Sequence, residues 1–165
     1  MILVEKVTLK DIPIIQDIAH ATWYPTFEGI LSEKQIEYML EMMYSTTSLI
    51  EQIQIKKHHF FLVKENEVTL GFISVELNYK NQATAKIHKI YILPANQEKG
   101  IGKILMYKAE ELAQEYNQKS ITLNVNRFNK ALGFYEKLGY TNSKIENIEI
   151  GNGYLMEDFV LEKHL

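Results

Sequence analysis

The sequence predicts an α/β protein of the α+β kind, in which a mixed and mostly antiparallel sheet of about seven strands carries about four to five helices on its two faces. Three observations carry that prediction. Short apolar runs with period-two alternation recur along the chain, and tight turns such as Glu65-Asn66-Glu67 and Gly151-Asn152-Gly153 join them. Between them, Ile14 to Thr22, Ile36 to Met43 and Ile101 to Leu112 repeat apolar residues at helical spacing. The alternating stretch Thr84 to Leu93 ends at a polar loop and a glycine-led helix, the order strand, loop, helix N-terminus.

Taken in order, Ile2 to Leu9 reads as a first strand. Lys10-Asp11-Ile12-Pro13 opens a helix, because Asp is a good N-cap and Pro is tolerated in a first turn. Ile14, Ile15, Ile18, Ala19 and Thr22 form its stripe, and it is expected to fade near Trp23-Tyr24-Pro25. Ser32-Glu33-Lys34-Gln35 has the capping-box pattern of a second helix, with Ile36, Met39, Leu40 and Met43 as its buried side. A third, shorter helix is expected from Ser48, with Glu51 completing another box, to about Ile55. His58 to Lys64 and Val68 to Tyr79 form an antiparallel pair, and Gly71 inside the second marks a bulge or a close backbone contact. Asn81-Gln82 turns the chain into Thr84 to Leu93.

After the polar loop, the stripe Ile101, Ile104, Leu105, Ala109 and Leu112 describes a helix running to about Asn117, followed by a strand at Ser120 to Val125. Asn129 can cap a helix carrying Ala131, Phe134, Tyr135 and Leu138, with Gly139 placed for the left-handed position after its end. Thr141 to Ile150 and Tyr154 to Lys163 close the chain as a hairpin.

Composition narrows the partners. At 165 residues the chain reads as one domain, residues 1–165, long enough to bury about 70% of its unfolded surface. A net charge of −3, a pI of about 6.0 and a single arginine, Arg127, argue against a nucleic-acid partner. Without cysteine there is no disulfide framework, no thiolate metal site and no thiol nucleophile, so thiol chemistry has to arrive with a cosubstrate. Glu5 and Lys6 interrupt what would be the core of a signal peptide, and no apolar run approaches the roughly 18 residues of a membrane span. A cytoplasmic protein is expected.

The chemistry begins at Gln97-Glu98-Lys99-Gly100-Ile101-Gly102-Lys103. First-turn amides of a helix lack intrahelical partners and sit at its positive end, so glycines there let a phosphate reach bare backbone. The pattern resembles the acetyl-CoA loop of the GNAT superfamily of N-acetyltransferases, [Gln/Arg]-x-x-Gly-x-[Gly/Ala]. A second stretch, Asn126 to Tyr140, resembles that family's signature Asn-x-x-Ala-x-x-Phe-Tyr-x-x-x-Gly-[Phe/Tyr], and Phe134 to Tyr140 match it without a gap. Asn129 stands two residues before Ala131 instead of three, so Asn126 or Asn129 takes the asparagine's role. The two motifs cover about Ala85 to Tyr140.

The resemblance implies a GNAT fold with its central strands splayed, and a cosubstrate, acetyl-CoA, that leaves as CoA. It places the CoA along Ile90, Tyr91 and Ile92, with its pyrophosphate on Gln97, Lys99, Gly100, Ile101, Gly102 and Lys103, and further contacts from Asn126 or Asn129, Tyr135 and Lys137. The side chain of Tyr91, on the opposite face of the strand from those of Ile90 and Ile92, is read as packing. Ile92 is the candidate backbone donor to the oxyanion, at the point where the neighbouring strand splays away. Tyr135 matches the family tyrosine beside the thioester sulfur, and a hydroxyl with a pKa of about 10 suits a proton donor to a thiolate. No metal and no covalent enzyme intermediate are implied.

An alkylammonium has a pKa near 10.4, so fewer than about one amine in a thousand is nucleophilic at pH 7 and a base has to take its proton. His88 stands where many relatives carry a glutamate and is the candidate base, with a packed strand histidine as the equal alternative. Trp23, Tyr24 and Glu28 are candidate acceptor contacts. Their segment, TWYPTFEGILSEKQIEYMLE, is similar to the equivalent region of bacterial spermidine/spermine N-acetyltransferases of the PaiA type. A small polyamine is therefore the favoured acceptor. The alternatives are a protein N-terminus or another small amine, and, from a different class, a non-catalytic CoA-binding regulatory module. An exposed sheet edge leaves room for a homodimer.

Overall fold

A computed structural model describes residues Met1–Leu165. Its strands are β1 (Ile2–Lys6), β2 (His59–Glu65), β3 (Val68–Glu76), β4 (Thr84–Ile92), β5 (Ser120–Asn126), β6 (Thr141–Gly151) and β7 (Tyr154–His164). Its helices are α1 (Ile12–Phe27), α2 (Glu33–Tyr44), α3 (Thr46–Ile50), α4 (Ile101–Glu115) and α5 (Leu132–Lys137). All seven strands form one sheet in the order β1-β2-β3-β4-β5-β7-β6, antiparallel throughout except for the parallel β4/β5 pair that α4 connects. Helices cover both faces, which is why the inner residues of β2 and β3 are buried almost without interruption. One core lies between the sheet and α4 with α5; the other lies under α1, α2 and α3.

Several element ends depart from the sequence expectation, each for a local reason. β1 stops at Lys6, because Thr8 donates its amide to the Asp11 carboxylate at 2.8 Å and starts a short 3₁₀ turn over Leu9–Asp11. The Asp11 side chain is thus used on Thr8 and does not cap α1. α1 continues through Pro25 to Phe27, because Trp23 and Phe27 remain on the buried stripe with their rings 4.6 Å apart. At α2, Ser32 Oγ accepts from the Gln35 amide at 3.1 Å as expected, but the Gln35 side chain reaches the Leu155 carbonyl at 3.5 Å instead of closing the box. α3 starts at Thr46 under a Ser45 cap, whose Oγ accepts from the Ser48 amide at 3.2 Å, and widens into a π-helical turn over Glu51–Ile55. β3 ends at Glu76, short of Tyr79, because Gln118 holds Asn78 in the left-handed region by two hydrogen bonds of 2.9 Å. α5 starts only at Leu132; Asn129 Oδ1 accepts from the Ala131 amide at 2.8 Å in the turn before it. Its C-terminus closes as expected on Gly139, with Gly139 N–H to Glu136 O and Tyr140 N–H to Tyr135 O.

Three features shape the centre of the sheet. In the β3/β4 register Lys89 lies opposite Ser74 and Ile87 opposite Val75, which leaves His88 as an extra, bulged residue. Pairing of β4 with β5 ends at Ile87 opposite Leu123, while β5 goes on to Asn126 in register with β7. The strands therefore part beyond Ile87. Gly71 is the close contact foreseen for it: a Cβ there would lie 2.5 Å from the Tyr91 carbonyl oxygen and 2.7 Å from Ile92 Cδ1. The β6/β7 hairpin turns on Asn152 and Gly153, both with positive φ, and its tip docks on α2 where Tyr38 donates to the Ile150 carbonyl at 2.9 Å.

Candidate active site

Where β4 and β5 part, a cavity of about 320 Å³ penetrates the sheet. His88 to Tyr91 form one wall, and Leu123, Asn124 and Val125 form the other. Tyr135 and Asn129 reach it from α5 and the turn before it, and Asp158 from β7. On the side of α1 and α2 the lining is apolar: Trp23, Phe27, Met39 and Met43 face Ile148, Ile150 and Met156 of the docked hairpin.

The backbone at the end of β4 is a chemical resource in its own right. Leu93 donates its amide to the Leu70 carbonyl of β3 at 2.8 Å. Amides alternate sides along a strand, so those of Ile92 and Ile90 point the other way, into the gap that β5 leaves. The side chains divide as expected: Ile90 and Ile92 pack with the α4 core, and Tyr91 packs with the α1 core beside Trp23.

Beyond β4 the chain makes a 3₁₀ turn at Pro94–Asn96, and Gln97 Nε2 returns to donate to the Ile92 carbonyl at 3.1 Å. Gln97 thus folds the loop back on β4. Gly100 adopts φ +79°, with nothing within 4 Å of where a Cβ would lie, so the approach to the first turn of α4 stays open. The first intrahelical amide bond runs from Ile104 to Gly100 at 3.3 Å, leaving the amides of Ile101, Gly102 and Lys103 for an anion. Lys99 and Lys103 are exposed beside them, whereas the Ile101 side chain is buried in the core and has only its backbone to give. This cradle fits a pyrophosphate. A Cβ on Gly102 would lie 3.2 Å from the Phe134 ring, so that glycine also lets α5 pack against the start of α4.

Tyr135 is buried, its ring edge-on to those of Phe134 and Tyr140, and burial pushes its hydroxyl pKa up. Burial keeps that hydroxyl protonated at neutral pH, so it is present as a hydrogen-bond donor to whatever occupies the cavity. Of the two asparagines, Asn129 lines the cavity, while Asn126 turns its Oδ1 back to the Phe128 amide at 3.0 Å. Lys137 is exposed in the last turn of α5.

The surroundings of His88 weaken its case as the base. Its Nε2 lies 2.8 Å from Glu76 Oε1, the same oxygen that His58 Nε2 approaches at 3.3 Å, and the two rings stack 4.5 Å apart. Burial first, then His58 and the nearby Lys89, Lys86 and Lys56, push the His88 pKa down to about 2. A ring whose Nε2 is already engaged by Glu76 and whose charged form burial disfavours is a weak candidate for taking an ammonium proton. Among the expected acceptor contacts, Trp23 lines the cavity; Tyr24 packs beside the α1 core and Glu28 is exposed where α1 ends, and neither lines it.

Asp158 is the residue the sequence reading missed. It is 5% exposed, shares the inner face of β7 with Met156 and Val160, and lies directly opposite Asn126 of β5 and Glu146 of β6. An acid on the apolar side of an alternating strand was the available signal.

A splayed β4/β5 pair, an anion cradle at the start of α4 and a tyrosine between them define an acetyl-CoA-dependent acyltransferase. The acetyltransferase (GNAT) family model matches residues 21–140, and the chain belongs to that family. It is an enzyme, and acetyl-CoA is its cosubstrate. The spermidine N(1)-acetyltransferase of Thermoplasma acidophilum is 29% identical over 159 residues, covering 93% of this chain and 94% of that protein. An uncharacterized N-acetyltransferase of Lactobacillus delbrueckii subsp. lactis is 25% identical over 166 residues, covering 97% and 95%. Among solved structures, the PaiA N-acetyltransferase of Thermoplasma acidophilum in complex with coenzyme A superposes with a TM-score of 0.82 at 26% identity, covering 100% of this chain and 99% of that one. The ribosomal-protein-S18-alanine N-acetyltransferase of Escherichia coli, at 16% identity and a TM-score of 0.73, shares the fold. No helix is long and apolar enough to cross a membrane.

Proposed function

We propose that the chain acts as one N-acetyltransferase domain, moving the acetyl group of acetyl-CoA to a primary amine of a small polyamine in the cytoplasm. The observation that carries this reading is the cavity itself, with unpaired β4 backbone and a buried tyrosine on its walls and a carboxylate across from them. The methionine and isoleucine wall suits a run of methylenes, and the likeness to a spermidine N(1)-acetyltransferase supports the same class of acceptor.

In this reading the amides of Ile101, Gly102 and Lys103, with Lys99 nearby, hold the CoA pyrophosphate. Ile90, Tyr91 and Ile92 run alongside the cosubstrate, and the Ile92 amide meets the developing oxyanion, a contact of a kind worth about 3 kcal/mol. Tyr135 protonates the departing sulfur. Asn129, from the cavity wall, takes the role of the family asparagine. Pairing of two copies along an exposed sheet edge belongs to the same proposal.

Acetyl-CoA-dependent thiol release across a panel of amines tests it. Spermidine or spermine should give the highest kcat/KM, ahead of a simple alkylamine and a peptide N-terminus. A peptide that outperforms every polyamine would move the acceptor to protein N-termini, and thiol release that no amine stimulates would refute the reading.

A further inference from the structure

The cavity holds a carboxylate that the fold leaves without a complete set of partners. Asp158 Oδ2 accepts from Asn124 Nδ2 at 3.4 Å, whereas Oδ1 is buried with no hydrogen-bond partner. Glu146, directly across the β6/β7 pair, accepts from the same Asn124 Nδ2 at 3.4 Å and has Lys144 at 3.5 Å on its other oxygen. Two acids directly opposed on neighbouring strands repel each other, and a buried, open carboxylate oxygen is costly. An added cation would relieve both costs. The other cations of the wall are engaged elsewhere: Lys86 Nζ donates to the Tyr79 hydroxyl at 3.1 Å and Lys89 Nζ to Gln52 Oε1 at 2.6 Å.

We propose that Asp158, joined to Glu146 through Asn124, is the cation-binding element of the cavity, that it takes the proton of the reacting ammonium, and that Glu146 holds the second cation of a polyamine. The proposal rests on acetyl transfer to an amine. Asp158 Oδ2 and Glu146 Oε1, the oxygens that share Asn124 Nδ2, lie within twice 3.4 Å of each other. Three or four methylenes set two nitrogens about 5–6 Å apart, so one polyamine unit can span the pair.

In the step proposed, the ammonium gives one proton to Asp158. The freed lone pair forms the C–N bond to the thioester carbon while the C=O pair moves onto oxygen. Collapse breaks the C–S bond, Tyr135 gives its proton to the departing sulfur, and the second proton of the nitrogen restores the tyrosine. Asp158 returns its proton to solvent. Burial pushes the Asp158 pKa up and Glu146 adds to the rise, while Asn124 and Lys86 oppose it; His88, Lys89 and Tyr91 from β4 and Tyr135 from α5 are the other titratable groups lining the cavity. A raised carboxyl is a better base than an ordinary one.

The test compares Asp158→Asn with the wild-type chain, using spermidine and acetyl-CoA. At pH 7 kcat/KM should fall at least about 100-fold, the acidic limb of the pH–rate profile should vanish, and the acetyl-CoA Kd should stay within about twofold. A variant that keeps more than a tenth of the wild-type kcat/KM, or keeps the acidic limb, overturns the role. If Asp158→Asn does not fold, Glu146→Gln on the half-buried hairpin carries the test. The KM of an α,ω-diamine, relative to that of a monoamine of equal length, should then rise about tenfold, and an unchanged ratio overturns the proposal. The two readings fail separately. If another amine proves the best acceptor and Asp158→Asn still loses it, the polyamine reading falls and Asp158 stands. If polyamines win and Asp158→Asn matches the wild type, Asp158 falls and that reading stands.

Discussion

The first half of β4, Thr84 to Ile87, pairs with β5, and its Lys86 and Ile87 with β3 as well, whereas beyond the bulged His88 the second half, Lys89 to Ile92, keeps β3 and has no partner on β5. Both halves are alternating, apolar and β-branched. What separates them is one bulged residue, His88, and the glycine opposite the strand's end, Gly71, which lets Tyr91 and Ile92 come close. The paired half spends its backbone on the sheet. The unpaired half keeps amides free, and a buried free amide needs a partner, so the place where the sheet fails to close is the place with backbone donors left to offer. Tyr135, Asn129 and Asp158 converge on that half, while the paired half sends Ala85 and Ile87 into the α4 core.

The largest expected effect comes from removing the Tyr135 hydroxyl, which lines the cavity beside the unpaired half. Tyr135→Phe should lower kcat about 10²–10³-fold, with the acetyl-CoA Kd unchanged by calorimetry. A kcat within threefold of wild type would take Tyr135 out of the reaction. Next is Gly71→Ala, which sets a Cβ against backbone at 2.5 Å and should cost about 1–3 kcal/mol in denaturant unfolding. Gly102→Ala is its control: the added Cβ meets only the tip of the Phe134 ring at 3.2 Å and should cost less. Equal losses would mean that the approach of β3 to the end of β4 is nothing special.

A smaller effect, of opposite sign, is expected from Asp158. Its carboxyl is raised in the folded chain, so the folded state holds the proton to higher pH than the unfolded one. That contribution to stability is fully present below the ordinary carboxylate value and is lost as pH rises through the raised one. Asp158→Asn should therefore melt at or above the wild-type temperature at pH 7, and the difference should close as pH falls through the carboxylate range. A residue kept for folding alone would show the reverse. The smallest effect is expected at His88: His88→Ala should leave kcat/KM within about threefold, because its Nε2 is already engaged by Glu76 and burial leaves the ring a weak acceptor for an ammonium proton. Loss of the acidic limb in that variant would return the base to His88.

The same contrast separates what was legible in the sequence from what was not. Gln97 to Lys103 and Asn126 to Tyr140 each work within one short segment, so their residue types and spacing carried the meaning directly. The stripes of α2 and α4 were legible for the same reason: a helix records its buried face locally. The bulge at His88 was not, because an extra residue in a strand shows itself only against its partner. Asp158 was not, because its neighbours Asn124 and Glu146 come from two other strands and meet it only through the register of β5, β7 and β6. The run of α1 through Pro25 was hidden because the burial of Trp23 and Phe27 outweighs one missing amide.

Amide chemical shifts read the contrast most directly, with the chain titrated in parallel with acetyl-CoA and with CoA. The two ligands share the pyrophosphate and differ in the acetyl group, so both should move Ile101, Gly102 and Lys103, and the difference between them should concentrate at Ile90 to Ile92 and around Tyr135. Differences centred on Thr84 to Ile87, or none at the end of β4, would contradict the account.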